Sequence, residues 1–168
     1  MSETRVGFGF DAHRFSETPP VLLGGVVVDD ARGVEATSDG DVAAHAVSDA
    51  ILGAAALGDM GVHFPSTESR WEGADSMGML RECVRLAAAA GVIVESVDVT
   101  VISQSVRVAP FRDRVREGLA AALGIDVDRV SVKATTTDHM GAIGRDEGLA
   151  AQAVATCRAG IGVPGSTS

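Results

Sequence analysis

Two short segments of the chain carry side chains that are typical metal ligands. Asp11 and His13 directly follow a stretch that is typical of a β-strand, Arg5 to Phe10. Because residues i and i+2 of an extended segment point to the same side, these two side chains can share one cation. A lone Asp-x-His pair is common by chance, so a third ligand is needed before the pair predicts a site.

The third candidate ligand is His45, which lies between Asp41 and Asp49 with a spacing of four residues on each side. In the predicted helix these three side chains form one polar stripe on an otherwise apolar surface. An ordinary core histidine is the alternative interpretation. Together, Asp11, His13 and His45 would supply two imidazoles and one carboxylate, a set that suits Zn²⁺ with its fourth position open to a substrate.

A further segment with chemical potential is the run Lys-Ala-Thr-Thr-Thr-Asp over residues 133–138, at the end of another predicted strand. Its three hydroxyls and exposed backbone N–H groups suit phosphate oxygens. Asp138 suits a hard cation such as Mg²⁺, and Arg145 in the same loop can pair with a phosphate. A threonine-rich turn without a ligand is the alternative.

The elements that must position these residues follow from hydrophobic periodicity and from glycine and proline. No linker or repeat divides the chain, so we predict one α+β domain over residues 1–159 and a flexible tail over residues 160–168. After the first strand we predict a hairpin (21–23 with 26–28), a polar loop (29–40), a helix (41–57) capped by Ser38 or Asp39, a helix (74–90), a strand (92–103), a helix (110–123), a strand (129–134) and a loop (135–148). The pattern of residues 149–157 fits a strand or a helix, and we favour the strand.

Composition and charge narrow the choice of partner and compartment. The 168 residues include 23 Asp and Glu against 14 Lys and Arg, a net charge of -9, which argues against nucleic acid and anionic membranes. No Lys or Arg occurs from Gly33 to Ser69, so this acidic run is either a solvated face or a cation site. Cys83 and Cys157 are too few for a disulfide framework. Without a signal peptide or an apolar span, we expect free thiols and a cytoplasmic protein.

The motifs, taken in order, resemble those of the 2-C-methyl-D-erythritol 2,4-cyclodiphosphate synthase family. The resemblance covers about residues 5–156, and its motifs are specific as a set although none is specific alone. They are Gly9-Phe10-Asp11-Ala12-His13, Ser38-Asp39-Gly40-Asp41-Val42, His45, Asp49-Ala50, Leu57-Gly58-Asp59-Met60-Gly61, Gly73-Ala74-Asp75-Ser76, Lys133-Ala134-Thr135-Thr136-Thr137 and Gly144-Arg145 through Glu147-Gly148.

The resemblance implies a fold, an assembly and a reaction. The fold is an α+β two-layer sandwich, a mixed sheet with helices on one face, assembled as a homotrimer with active sites between subunits. The reaction is that of a metal-dependent lyase of non-mevalonate isoprene biosynthesis. It converts 4-diphosphocytidyl-2-C-methyl-D-erythritol 2-phosphate into the 2,4-cyclodiphosphate and CMP. Since one anionic phosphate attacks another, cations and positioning are expected to supply the rate enhancement.

The family's functional residues carry over onto the matching positions of this chain. Asp11, His13 and His45 would hold Zn²⁺ or another divalent transition metal, and Asp138 would hold Mg²⁺ or Mn²⁺ bridging the diphosphate. Thr37 and Thr136 occupy the catalytic positions. The other predicted substrate contacts belong to the metal-binding segment, the methylerythritol side and the cytidine pocket. They are Ala12, Ser38, Asp49, Asp59, Met60, Gly61, Ser103, Arg107, Ala109, Ala134, Thr135, Thr137, Ala142 and Arg145.

The chain departs from the family's pattern at four places, one of which is a pair of residues. Thr37 replaces a histidine and cannot carry its positive charge, and Ser66 replaces an acid. Val106-Arg107 replaces Pro-Lys, which keeps a cation on a different backbone. Asp146 replaces the middle glycine of Gly-Arg-Gly-Glu-Gly, so it adds a negative charge beside Arg145 and removes a residue suited to positive φ.

These departures leave the metal ligands intact, so we predict an active, slow synthase. Two rival functions share the same ligands. One is another zinc-dependent phosphohydrolase, which would release inorganic phosphate or a linear product. The other is a trimeric binding protein that keeps the pocket and has lost catalysis.

Overall fold

A computed structural model describes residues 2–160, so the predicted tail lies outside the described residues except for Gly160, which ends a strand. The strands of this part of the chain are β1 (Ser2–Ser16), β2 (Val21–Leu23), β3 (Val26–Asp29), β4 (Gly33–Val34), β5 (Val92–Ile102), β6 (Val130–Thr135) and β7 (Gly148–Gly160). The helices are α1 (Val42–Ala54), α2 (Met60–His63), α3 (Ser76–Ala89), α4 (Arg112–Leu123) and α5 (Gly141–Gly144). Three single 3₁₀ turns cover Ser69–Trp71, Ala109–Phe111 and Val127–Arg129.

The main sheet has five strands in the order β4-β1-β7-β5-β6. Its centre is the long antiparallel pair of β1 and β7, in register from Ser2 opposite Gly160 to Arg14 opposite Gly148. β5 runs antiparallel to β7 and parallel to β6, whereas β2 and β3 form a separate ribbon. The sheet is therefore mixed, and the predicted α+β class is confirmed.

Helix α1 lies directly against β1 because two glycines leave room for it. A Cβ atom at Gly9 would lie 1.9 Å from the carbonyl oxygen of Ala46, and one at Gly7 would lie 1.8 Å from that of Ala50. The alternate residues of β1 point away from the helix, as the period of two requires. Helices α1, α3 and α4 cover one face of the sheet, and the core between the layers consists mainly of Val, Ala and Leu.

The other face of the main sheet is uncovered in the single chain. Its apolar side chains include Val6, Phe8 and Phe10 of β1, which are 64%, 61% and 51% exposed. Val154 of β7, opposite Phe8 in the register, extends the same patch. We call these four residues the open face. Among the described helices, none is both long and apolar enough to cross a membrane.

Most predicted elements occur, including the hairpin and the last strand, and the differences have local causes. β1 continues through Asp11 and His13 to Ser16, because β7 pairs with it along this whole length. The capping prediction for the first helix was wrong: Asp41 is the cap, and its carboxylate accepts the N–H of Ala44 at 3.0 Å. The helix ends at Ala54, before the predicted boundary. The predicted loops over residues 29–40 and 135–148 contain β4 and α5.

The two cysteines are free and buried, as predicted. Burial raises the pKa of the Cys83 thiol to about 12. Thiolate is the reactive form of cysteine, so this raised pKa lowers the reactivity of Cys83 in the folded chain.

We expect Gly9→Ala to destabilise the protein by about 2–4 kcal/mol, because its methyl group would meet the backbone of α1. Gly53→Ala is the matched control, since nothing lies within 4 Å of a Cβ at this exposed helical position. It should stabilise the chain by about 0.5–1 kcal/mol. Chemical denaturation measures both. A Gly9→Ala variant as stable as the wild type would contradict the close packing of α1 on β1.

Candidate active site

Three of the predicted metal ligands converge on one point between β1 and α1. Asp11 and His13 lie two residues apart on β1, and His45 lies one turn into α1. Asp11 Oδ2 is 3.0 Å from His13 Nε2 and 2.9 Å from His45 Nδ1. The ligand atoms of all three residues lie within 4.8 Å of one another, at half-buried positions. The predicted triad is therefore assembled by the fold.

The close contact within the triad shifts the pKa values of Asp11 and His45. Burial raises the pKa of Asp11, but His13 and His45 lower it more, so it falls well below its usual range. Burial lowers the pKa of His45, and the hydrogen bond and charge of Asp11 outweigh that effect and raise it above its ordinary value. His13 Nε2 is buried and, although Asp11 Oδ2 lies 3.0 Å away, no atom is oriented to form a hydrogen bond with it. A cation bound to all three atoms would satisfy this nitrogen, so the donor set fits a divalent transition metal.

The second nitrogen of His45 is held by a short chain of hydrogen bonds. His45 Nε2 lies 2.8 Å from the hydroxyl of Ser76 and 3.1 Å from that of Ser38. The Ser76 hydroxyl donates to the carboxylate of Asp39, which also accepts the backbone N–H of Ser76. Since the Ser76 proton points to Asp39, the Ser76 oxygen accepts from Nε2–H. This arrangement keeps a proton on Nε2, so a metal at Nδ1 of His45 would replace only the proton that Nδ1 shares with Asp11.

A cavity of about 230 Å³ opens beside the triad. It contains five further residues that the sequence predicted as site residues, namely Thr37, Ser38, Asp49, Met60 and Gly61. Five further residues of its lining were not predicted as site residues, namely Ala36, Phe64, Ser66, Trp71 and Met79. Of these, only Ser66 was noted in the sequence, as a departure from the family's pattern. Phe64 and Trp71 pack edge to face with their ring centroids 5.0 Å apart. Their side chains are apolar like those of core residues, so nothing in the sequence indicates that they line a cavity.

The predicted polar stripe of the first helix does not act as one unit. Asp41 is fully buried, and its side-chain oxygens accept the N–H of Ala44 at 3.0 Å and the N–H of Gly25 at 2.8 Å. Asp49 accepts the N–H of Met60 at 2.8 Å. Asp59 caps α2 by accepting the N–H of Val62 at 3.1 Å. Asp49 and Asp59 therefore fix the segment around α2 along one side of the cavity, whereas Asp41 has a structural role.

A second cavity, of about 610 Å³, lies between the loop after β5 and the end of β6. Six predicted residues line it: Ser103, Arg107, Ala109, Ala134, Thr135 and Thr136. Gln104, Ser105, Val106, Val108 and Arg112 also line it. Arg112, the first residue of α4, is exposed and stands at this cavity, where it adds a second guanidinium to that of Arg107. We call this the nucleotide-side cavity.

Asp59 and five other predicted residues lie outside both cavities. Asp138 accepts a hydrogen bond from the hydroxyl of Thr136 at 3.3 Å, and Thr137 donates to the carbonyl of Met140 at 2.7 Å. Arg145 donates to Glu147 at 2.7 Å. A small third cavity beside His13 contains the other two, Ala12 and Ala142. Within one chain, the triad and the nucleotide-side residues therefore line different cavities.

Comparison with known proteins gives a consistent result. The model of the YgbB family matches residues 4–158. A 2-C-methyl-D-erythritol 2,4-cyclodiphosphate synthase of Shewanella halifaxensis is 51% identical over 150 residues, which cover 89% of this chain and 94% of the relative. The enzyme of the same name from Pseudomonas aeruginosa is 50% identical over 151 residues, covering 90% and 96%.

Two solved structures are similar over nearly the whole chain. The bifunctional IspDF from Campylobacter jejuni matches with a TM-score of 0.92 and 39% identity, over 95% of this chain and 43% of that one. A CDP complex of IspF from Plasmodium falciparum matches with a TM-score of 0.80 and 28% identity, over 93% and 96%.

We expect Ser76→Ala to weaken zinc binding about 10- to 100-fold, because His45 would lose the group that fixes its tautomer and ring orientation. Ser48→Ala is the matched control. Ser48 is buried in α1, the helix of His45, but its hydroxyl donates to the carbonyl of Ala44 at 2.8 Å and not to the triad. Competition against a chromophoric chelator at fixed pH measures both affinities. Equal affinities for Ser76→Ala and the wild type would refute this role of Ser76.

Proposed function

The chain belongs to the YgbB family, and from that premise we propose how its residues perform the family's reaction. The chain catalyses the cyclisation of 4-diphosphocytidyl-2-C-methyl-D-erythritol 2-phosphate to 2-C-methyl-D-erythritol 2,4-cyclodiphosphate, with release of CMP. It is a metal-dependent lyase of isoprenoid biosynthesis. The observation that supports our assignment of residues most directly is the convergence of Asp11, His13 and His45 beside a cavity.

The reaction exchanges one phosphorus–oxygen bond for another. An oxygen of the 2-phosphate forms a bond to the β-phosphorus of the diphosphate. The bond from that phosphorus to the bridging oxygen breaks, and CMP leaves with the electron pair. The attacking phosphate is already ionised near neutral pH, so the step needs no protein nucleophile. Its main obstacle is repulsion between two anions, which is reduced by positioning and by positive charge.

We assign the triad to Zn²⁺ or a similar divalent transition metal. Bound there, the cation would neutralise phosphate oxygens and keep one position open for the substrate. The hydroxyls of Thr37 and Ser38 lie in the same cavity and suit phosphate oxygens. Asp49, Asp59 and the segment from Met60 to Gly61 then face the methylerythritol hydroxyls.

The nucleotide-side cavity suits the cytidine monophosphate half of the substrate. Ser103, Ala109, Ala134 and Thr135 would frame the base and ribose, and Arg107 carries the positive charge that a phosphate requires. The same kind of ligand, CDP, is bound in the Plasmodium falciparum relative. We include Arg112 in this site because it stands in the same cavity.

The segment after this cavity would support the leaving group. The Thr136 hydroxyl would contact a phosphate, and Asp138 beside it would hold Mg²⁺ or Mn²⁺, which would supply positive charge to the diphosphate. Arg145 and the backbone around Thr137 and Ala142 would complete the contacts. Asp138 is exposed, so it can be reached by substrate and cation together.

We further propose that the working enzyme is a homotrimer. The substrate must touch the triad and the nucleotide-side residues, which line different cavities of one chain. Sites between neighbouring subunits would bring the two sets together. The open face supplies the contact, because exposed Phe8, Phe10 and Val6 on one sheet surface are costly to leave in water.

We expect Thr37→His to raise kcat about 10-fold or more relative to the wild type, since an imidazolium beside the phosphates carries the charge that a hydroxyl lacks. Incubation with substrate, Zn²⁺ and Mg²⁺, followed by quantification of CMP and of the cyclic diphosphate, measures this change. Asp11→Ala is the inactive control. An unchanged rate for Thr37→His would contradict the prediction that Thr37 slows turnover.

The same assay separates the rival functions. A zinc-dependent phosphohydrolase would give inorganic phosphate or a linear product in place of the cyclic diphosphate. A binding protein would bind CMP without releasing any from the substrate. Either result with the wild-type chain would overturn the assignment of its residues to cyclisation.

We expect Phe8→Glu to shift the trimer towards monomers and to reduce activity in proportion, because the new charge would have to be buried between subunits. Val127→Glu is the control, since Val127 is an exposed valine in a 3₁₀ turn outside the open face. Light scattering after size-exclusion chromatography measures the mass of each variant. A wild-type monomer, or a Phe8→Glu trimer, would refute this assembly.

A further inference from the structure

Arg32, in the loop between β3 and β4, joins three segments that are far apart in sequence. Its Nε donates to Asp29 at 2.9 Å and its Nη1 to Asp146 at 2.8 Å, while Nη2 donates to the hydroxyl of Ser105. The guanidinium carbon lies 3.7 Å from the centre of the Phe15 ring. We call Asp29, Arg32, Ser105 and Asp146 the Arg32 cluster.

Asp146 is the residue of this cluster at which the chain departs from the family's glycine. Its φ is 60°, so the turn uses the conformation that glycine adopts without strain. The side chain does not pair with neighbouring Arg145, which donates to Glu147. Asp146 instead accepts from Ser105 at 2.6 Å through Oδ1 and from Arg32 through Oδ2. Both carboxylate oxygens are therefore engaged across the structure.

The carboxylates of the cluster stabilise the charge of Arg32. Burial lowers the pKa of the Arg32 guanidinium, but Asp146 and Asp29 raise it more. Hydrogen bonds that involve two charged groups are stronger than neutral ones, and Arg32 forms two of them with fixed geometry. Arg32 is also held against Phe15, so its position is set by four contacts.

Ser105 connects the cluster to the nucleotide-side cavity. It belongs to the loop of residues 103–108, whose members all line that cavity. A second tie holds the loop from the other side, because Gln104 Oε1 accepts the N–H of His139 at 3.1 Å. A third lies within the loop, where Ser103 accepts the N–H of Val106 at 3.2 Å. Of these ties, the one to Asp146 links the loop to the turn between α5 and β7.

We propose that Asp146 is a positioning residue for nucleotide binding. Through Ser105 and Arg32, it holds the loop of residues 103–108 in the shape that receives the cytidine nucleotide. Losing this tie would let the loop move, and a nucleotide would then have to order it on binding. The proposal rests on the assignment of the nucleotide-side cavity to the CMP half of the substrate.

The first variant is Asp146→Gly, which removes the tie and relieves the backbone, so it should fold. We expect the Kd for CMP to rise about three- to tenfold, as the cost of ordering one short loop implies. KM should rise by a similar factor while kcat changes less than about twofold. Zinc affinity should stay at the wild-type value, because the triad belongs to a different cavity. Calorimetry with CMP and chelator competition with Zn²⁺ measure these quantities.

Two comparisons make the test specific. Glu82→Gln breaks an exposed ion pair with Arg85 that lines neither cavity, and should leave the Kd for CMP unchanged. Ser105→Ala should weaken CMP binding by itself, and its effect should be smaller in Asp146→Gly than in the wild type, because the hydrogen bond between the two residues is then already lost and only the one from Arg32 remains. Asp146→Asn keeps an acceptor for Ser105 and should recover part of the affinity.

The outcomes separate this proposal from the proposed function. Wild-type affinity for CMP in Asp146→Gly, or additive effects of Asp146→Gly and Ser105→Ala, would overturn the positioning role alone. A fall in kcat with unchanged KM would also overturn it. A wild-type chain that forms no cyclic diphosphate and binds no CMP would overturn both. A selective rise in Kd and KM, absent in Glu82→Gln, would support it.

Discussion

The structure depends on the close approach of helix α1 to strand β1. Gly7 and Gly9 of the strand face the carbonyl groups of Ala50 and Ala46, and no larger residue fits between them. This contact places His45 within hydrogen-bond distance of Asp11, 34 positions earlier in the chain. The metal site is thus a consequence of backbone packing, and a single methyl group on the strand would change both stability and site geometry.

The net charge of the chain does not show how its acidic and basic residues are distributed around this contact. A protein of net charge -9 binds an anionic substrate in our account, and the stretch from Gly33 to Ser69 contains no basic residue. The acids of this stretch work locally: Asp39 holds Ser76, Asp41 caps α1, and Asp49 fixes the segment around α2. Positive charge for the phosphates then comes from cations at the triad and from arginines of other segments.

Much of the fold and of the site followed from the sequence, and the exceptions share a physical cause. Short-range patterns were sufficient for Asp11 and His13, which alternate along a strand, and for the helical stretch that carries His45. Contacts between distant segments were not visible. The pairing with β7 that extends β1 to Ser16, the orientation of Asp41 towards Gly25, and the place of Arg112 at the nucleotide-side cavity depend on tertiary packing.

The departures from the family's motifs illustrate the same limit. The sequence identified Asp146 as a charge in place of a glycine, and the positive φ expected there is present. Its neighbour Arg145 was the natural partner by proximity, yet the side chain pairs with Arg32, 114 positions away, and with Ser105. Ser76 belonged to one of the family's motifs, but the sequence indicated no role for it. The structure shows its role, because its hydroxyl lies between His45 and Asp39.

The most direct test of the account is diffraction from crystals of the chain grown with Zn²⁺ and CMP, recorded on both sides of the zinc absorption edge. The expected result is one anomalous peak at about 2.0–2.1 Å from His13 Nε2 and from His45 Nδ1, with an Asp11 oxygen at a similar distance. The Ser76 hydroxyl should remain on His45 Nε2. A zinc ion bound elsewhere, or bound to His45 through Nε2, would contradict the central claim.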